Sequence, residues 1–220
     1  MMTPESCFIT DLQIREALLP FGLSPDDNQV HKIREYIALL LQWNRSLNLT
    51  SITTAIDVVG RHFGESMYIG KILPVDKCRL VDIGTGAGFP GLALKIAYPS
   101  LKVDLVESNK KKSVFLAEVI RSLELEDVDI YANRYEEMRP EAFSADVITC
   151  RAVGNFKGVL RWSSDALSDG GHLVLWVGAE DSTQIMQIAG WLWQPPHHLP
   201  ESQRRLLLIG RPIPKMVMPQ

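Results

Sequence analysis

No apolar run in this 220-residue chain approaches the ~18 consecutive residues that a membrane-spanning helix needs. The opening segment Met1–Thr10 also lacks the charged, apolar and small-residue order of a signal peptide. Cysteine is scarce: Cys7, Cys78 and Cys150 are far apart and form no C-x-x-C. That argues against a disulfide framework or a zinc site, and for a reducing, cytoplasmic compartment with no metal centre. Positive charge is not in excess either. A formal net charge of −3 denies the chain a global basic footprint for nucleic acid, so any RNA or DNA contact must come from local patches. Two patches are visible, Lys110–Lys112 and the C-terminal Arg204, Arg205, Arg211 and Lys215, although ordinary solvated faces look the same. Internal repeats and low-complexity segments are lacking.

What is present is the composition of an ordinary globular protein, 46% hydrophobic and 22% charged, with room for one sizeable domain and a small helical extension. Residues 1–73 read as that extension and 74–220 as an α/β core. Ser24-Pro25-Asp26-Asp27 offers an N-cap, a proline at the first helical position and acids in the first turn. Val30, Ile33, Ile37, Leu40 and Leu41 then follow the helical period. A second helix is predicted from about Thr54 to Leu73. From Leu80 onward strands alternate with helices, with a turn at Asp169-Gly170-Gly171 and an antiparallel strand in the tail at Arg205–Ile209. Such repetition predicts a Rossmann-like, doubly wound, mostly parallel sheet.

One segment is dictated by chemistry and not by packing. Leu80 to Gly91 reads L-V-D-I-G-T-G-A-G-F-P-G, a strand running into a glycine-rich turn. Two frames fit it. Gly86-x-Gly88-x-x-Gly91 matches the dinucleotide fingerprint, with Glu107 about 20 residues on, where an acid meets a ribose. The other frame is Asp82-x-Gly84-x-Gly86-x-Gly88. A pyrophosphate at the helix start would be repelled by Asp82, whereas the sulfonium and ammonium of S-adenosyl-L-methionine would be attracted. In that frame Glu107 accepts both ribose hydroxyls. After the third strand, Tyr135 and Glu136 lie where a loop would close over an adenine.

Four motifs occur in one order: Trp43–Thr50 (W-N-R-S-L-N-L-T), Arg61–Ser66 (R-H-F-G-E-S), the glycine turn, and Thr149–Val153 (T-C-R-A-V). In this combination the chain resembles the bacterial small-subunit ribosomal RNA methyltransferase family known as RsmG or GidB, from about Leu23 to Ile209. The resemblance implies a class I S-adenosylmethionine-dependent fold with an N-terminal helical extension. It also implies methyl transfer to N7 of a guanine in 16S rRNA, acting on the rRNA or the small ribosomal subunit. Carried over by position, the cofactor contacts are Gly84, Phe89, Tyr135 with Glu136, and Arg151. Asp82, Gly86, Gly88 and Glu107 are added from the chemistry of the turn. Two departures stand out. Glu65 occupies a position that is usually aspartate, and Val177 one that is usually lysine.

Guanine N7 carries a lone pair and no proton, so no acid or base is assigned. Arg151 and His62 are candidates for positioning the target, and Arg61, Arg204 and Arg205 for contacting RNA. Arg151 reads alternatively as a surface partner of an acid such as Asp146. Cys150 could act as a nucleophile toward pyrimidine C5, but a small buried residue is the better reading. The five tryptophans are assigned mainly to packing. Other functions remain open at this stage: a methyltransferase acting on a small molecule or protein, a cofactor-binding module without activity, or a nicotinamide dehydrogenase. A monomer is expected.

Overall fold

Capping chemistry starts the chain on helices. Thr10 and Gln13 form a reciprocal capping box on Asp11–Leu18 (α1), and Asp26 and Gln29 form one on Asp27–Leu47 (α2). The cap of α2 is therefore Asp26, not Ser24, and Pro25 precedes the cap. The reason is Gln29: its side chain accepts from the Asp26 amide at 3.0 Å while the Asp26 carboxylate accepts from the Gln29 amide at 2.8 Å. The predicted second helix is broken into pieces. Thr54 caps Ala55–Val58 (α3), the backbone widens into a π-helical turn over Val59–Gly64, and Glu65–Met67 (α4) leads into a 3-10 turn over Tyr68–Lys71. π-Helical turns often mark functional positions, and this one carries Arg61 and His62.

The computed structural model describes residues 9–151 and 154–214; Cys7, Lys215, Ala152 and Val153 lie outside them. Five strands are mutually parallel: Arg79–Ile83 (β1), Lys102–Val106 (β2), Val128–Tyr131 (β3), Ala145–Arg151 (β4) and Leu167–Gly178 (β5). Three antiparallel strands extend one edge: Trp191–Trp193 (β6), His197–His198 (β7) and Arg205–Pro212 (β8). The strand order is β3-β2-β1-β4-β5-β8-β6, with β7 beside β8. Order reverses between β1 and β4, which opens a crevice at their carboxyl ends. The predicted turn at Asp169-Gly170-Gly171 lies inside β5. Gly170 adopts φ 81°, and the β4–β5 register shifts between Ala145 and Val147. A glycine in the left-handed region here bulges the strand without ending it.

Side chains alternate across the sheet into two apolar layers. Leu80, Val103, Leu105, Val174 and Leu207 meet Gly91–Ala97 (α5) and Lys110–Ser122 (α6); Val81, Ile83, Ile148, Leu173 and Leu175 meet Phe156–Ala166 (α7) and Ala179–Met186 (α8). Helices on both faces make the sheet doubly wound, as the sequence implies. The first layer also contains Ile14, Leu18, Val30, Ile33, Tyr36 and Phe63 from the N-terminal helices. Each such buried side chain stabilises by roughly 1.5–3 kcal/mol, so the extension is bonded to the core through a shared interior.

Candidate cofactor and substrate site

The turn after β1 is built on backbone angles that glycine tolerates best. Gly84, Gly86 and Gly88 have φ of 66°, 60° and 87°. At Gly88 space adds a second demand, because a Cβ there would lie 2.2 Å from the Tyr36 hydroxyl. Tyr36, buried on α2, donates that hydroxyl to the Ala87 carbonyl. Its ring and the His62 ring both pack nearly parallel to Phe89, at centroid distances of 5.2 and 4.6 Å. The helical extension thus grips the glycine turn from outside the sheet.

Asp82 is completely buried one residue before β1 ends. Its Oδ2 accepts from the Gly91 amide at 2.9 Å, and its Oδ1 accepts from the Thr149 hydroxyl at 2.8 Å. The parallel register places Asp82 opposite Thr149, so the second bond follows from strand pairing. Burial pushes the carboxyl up to about 6, against the opposing pull of Gly91 and Thr149. These contacts decide between the two frames. In the dinucleotide frame a pyrophosphate would occupy the start of α5, where the Asp82 carboxylate already holds the Gly91 N–H. The sequence reading has Asp82 attract the cofactor's cations directly; here both oxygens have protein partners, and the residue shapes the turn from behind.

Glu107 follows β2 and is also buried. Oε2 accepts from the Gly86 amide at 2.9 Å and Oε1 from the Asn109 amide at 2.8 Å. Each carboxylate oxygen has a second lone-pair direction, which suits a vicinal diol. Tyr135 opens a 3-10 turn, Tyr135–Glu137, beyond β3. Its ring points inward and packs edge-on against Trp162 at 6.1 Å, and burial pushes its phenol up to about 12, with Glu136 adding to the rise. The Glu136 side chain is exposed. The sequence grouped these two by position, and the fold gives them opposite surroundings.

A second cluster faces the turn across the crevice. Glu65, 1% exposed, lies between two guanidiniums: Arg151 Nη2 at 3.3 Å from Oε2 and Arg205 Nη2 at 2.6 Å from Oε1. Arg151 Nη2 also donates to the Arg61 carbonyl at 2.9 Å, and Trp176 Nε1 donates to the Glu65 carbonyl at 3.3 Å. Burial raises the Glu65 carboxyl, while Arg151 and Arg205 pull it down. The acid paired with Arg151 is therefore Glu65 and not Asp146, which instead accepts from the Arg79 amide and Ser168. His62 Nε2 lies 2.8 Å from the Thr50 hydroxyl, and burial, with Arg151, Arg61 and Arg205 in support, lowers the ring to about 3. The imidazole is neutral at physiological pH.

The structure thus brings together His62, Arg151, Arg205 and Phe89. It separates Arg204, which is exposed on the turn before β8, from its neighbour Arg205, which is drawn inward to Glu65. Arg61 is exposed, with only its carbonyl in the cluster. Lys110 and Lys111 are exposed at the start of α6, and Arg211 lies at the far end of β8. Val177 packs in the apolar layer opposite Leu206, and Cys150 is buried on β4 between Ile83 and Leu175. Sequence reasoning missed Tyr36, Thr149 and the bridging part played by Glu65. Tyr36 gave no signal, because it sits in an ordinary amphipathic helix; Thr149 and Glu65 lay inside motifs read for other residues.

The model of the rRNA small subunit methyltransferase G family, GidB, matches residues 29–190. Curated proteins named ribosomal RNA small subunit methyltransferase G match at similar strength. The one from Dichelobacter nodosus is 40% identical over 176 residues, 80% of this chain and 81% of its own. The one from Acetivibrio thermocellus is 34% identical over 192 residues, 82% of this chain and 79% of its own. Among solved structures, a SAM dependent methyltransferase from Aquifex aeolicus superposes with a TM-score of 0.57 at 13% identity, covering 70% of this chain and 91% of that one. The fibrillarin/Nop5p complex gives 0.54 at 15% identity, over 62% and 73%. These likenesses establish the class I methyltransferase fold.

Proposed function

This chain belongs to the rRNA small subunit methyltransferase G family, and we propose that it transfers a methyl group from S-adenosyl-L-methionine to N7 of a guanine in 16S rRNA. One observation within the site carries the cofactor part of this reading: Asp82 occupies the start of α5 while Glu107 stands ready at the end of β2. A doubly charged pyrophosphate is repelled there, and a nucleoside with a cationic sulfur centre is not. When bound, S-adenosylmethionine supplies the electrophilic methyl and leaves as a neutral thioether.

The chain's own residues then orient and shield. Glu107 takes the ribose hydroxyls, the Tyr135–Glu136 backbone borders the adenine, and the glycine turn lets the cofactor approach the main chain. Arg151, at the carboxyl end of β4, lies beside the crevice where the methyl would sit. Because guanine N7 has a lone pair and no proton, attack needs no general base, and rate comes from alignment in a water-poor site. The neutral His62 and the wall formed by Phe89 and Tyr36 exclude water on the extension side. The exposed Arg61 and Arg204, with Lys110 and Lys111, supply cations for the RNA backbone.

The test is methyl transfer from labelled cofactor to undermethylated small subunits and, in parallel, to naked 16S rRNA. Label recovered as 7-methylguanine supports the reading. Label on protein, at C5 of cytosine, or nowhere would sink it. Calorimetry with NAD and S-adenosylmethionine checks the cofactor separately, and tight NAD binding without S-adenosylmethionine binding would overturn the assignment of the turn.

A further inference from the structure

We propose that Arg205, held by Glu65, selects guanine by donating a hydrogen bond to O6 of the target base. The inference rests on the methylation reading above and adds a recognition residue to it. Its starting point is position in the sheet. The glycine turn, Glu107 and Tyr135 with Glu136 follow β1, β2 and β3, on one side of the point where strand order reverses, and of the groups assigned to the cofactor only Arg151, at the end of β4, lies beyond it. The target base must therefore enter over the other side, β4, β5 and β8. Arg205 begins β8 and pairs with Gly178 at the carboxyl end of β5. Its Cα sits at the mouth, about three strand spacings or ~14 Å from β1. It also lies beyond residues 29–190, the part of the chain that the family model matches.

Chemistry narrows the ligand. Arg205 offers N–H donors only. One of them, on Nη2, is taken by Glu65; Nε is buried with no hydrogen-bond partner among the described residues; and the side chain stays 32% exposed. Glu65 is out of reach of a base amine, because its side chain is only 2% exposed behind Arg151 and Arg205. Where Arg205 reaches the crevice, the wall thus presents donors. On the major-groove edge guanine presents N7 and O6, both acceptors, whereas adenine presents N7 and an N6 amine. N7 must keep its lone pair aimed at the methyl, so O6 is the acceptor left for Arg205. An adenine would place donor against donor. A phosphate is the weaker match: the adjacent Arg204 is exposed and free to meet one, while Arg205 is pulled inward by a buried carboxylate.

The experiment compares two substrates. Small subunits are reconstituted from ligated 16S rRNA that carries either guanine or 2-aminopurine at the methylated nucleotide; 2-aminopurine keeps N7 and lacks O6. Single-turnover transfer is measured at saturating S-adenosylmethionine. Arg205→Ala is expected to slow transfer to guanine by roughly ten- to a hundredfold, the range for one specific base contact, with cofactor Kd within about twofold of wild type. Wild type should lose a similar factor on 2-aminopurine, and Arg205→Ala should lose nothing further on it. Equal additional loss in the variant would make Arg205 a backbone contact and overturn the proposal, as would a cofactor Kd that rises in step with the rate loss. Arg205→Lys, which keeps the charge near Glu65 but not the planar fork, gives the same comparison if Arg205→Ala melts below the assay temperature. Absence of 7-methylguanine from the wild-type reaction on guanine subunits would overturn the methylation reading itself, and this proposal with it.

Discussion

The imidazole of His62 lies flat against the ring of Phe89, with centroids 4.6 Å and planes 13° apart. One residue comes from the π-helical turn of the N-terminal extension and the other from the glycine turn of the sheet. The contact joins the N-terminal extension to the turn that follows β1. We propose that residues 1–73 and 74–220 behave as one folding unit for this reason, since their apolar side chains share an interior.

The same contact sets a pH dependence. Burial, with Arg151, Arg61 and Arg205 adding to it, lowers His62 from 6.5 to about 3. Between those values the unfolded chain binds a proton that the folded chain refuses, so stability from this group is full above pH 6.5 and is lost as pH falls through the window. His62→Phe keeps the ring and removes the titration. Urea denaturation between about pH 7.5 and about pH 4 should show a shallower acid loss in the variant. Identical slopes would mean that the ring is solvated.

Asp82 and Glu107 should separate stability from binding. Asp82→Ala leaves the Gly91 N–H and the Thr149 hydroxyl without their buried acceptor, a loss of about 1–3 kcal/mol per group. It is expected both to destabilise the fold and to weaken S-adenosylmethionine binding at least tenfold, about 1.4 kcal/mol. Glu107→Ala should weaken binding by a similar factor with a smaller fall in stability, because its partners lie on a turn near solvent. Calorimetry and chemical denaturation read the two quantities, and unchanged binding in both variants would make the acids structural.

Gly88→Ala tests the grip of the extension on the turn. The new methyl would meet the Tyr36 hydroxyl at 2.2 Å while the backbone holds φ at 87°. A loss of about 2 kcal/mol or more is expected, from strain and clash together. Adding Tyr36→Phe removes the clashing oxygen and should restore part of it. No recovery in the double variant would assign the cost to backbone strain and to the remaining clash with Leu92, whose Cδ1 lies 2.7 Å from the added Cβ.

Glu65→Gln removes the negative charge between Arg151 and Arg205. Breaking a buried pair typically costs about 3–5 kcal/mol, and the partial exposure of Arg205 places this case toward the low end. Thermal melting should fall and methyl transfer should slow more than cofactor binding weakens. Glu65→Asp, one methylene shorter, should hold one arginine and lie between. A wild-type transfer rate in Glu65→Gln would show that the bridge does not position the site.

Periodicity and punctuation made most of the core legible in the chain. Strands and helices from Leu80 to Ala166 fall within a residue or two of their predicted places, because alternating apolar residues and capping signals act locally; β5 is the exception, since it begins at Leu167, ahead of the predicted turn. Local rules also explain the errors. The glycines at 170 and 171 look like a turn in sequence, and only the flanking pairs, Leu167 with Ala145 and His172 with Val147, show that the strand continues through them. Ser24 resembles a cap until Gln29 is seen to close the box from Asp26.

The sequence by itself determined the cofactor turn and the order of its parts. Left-handed backbone requires glycine, and an acid at a strand end is short-range information. What the acid does was decided by tertiary structure. Asp82 meets Gly91 and Thr149 because β1 pairs in register with β4, and Glu65 meets Arg205 across 140 positions because β8 returns antiparallel beside β5. Such contacts depend on strand order and register, which no local pattern encodes. They give Glu65 and Arg205 a shared place at the mouth of the crevice, where the sequence has only two charges far apart.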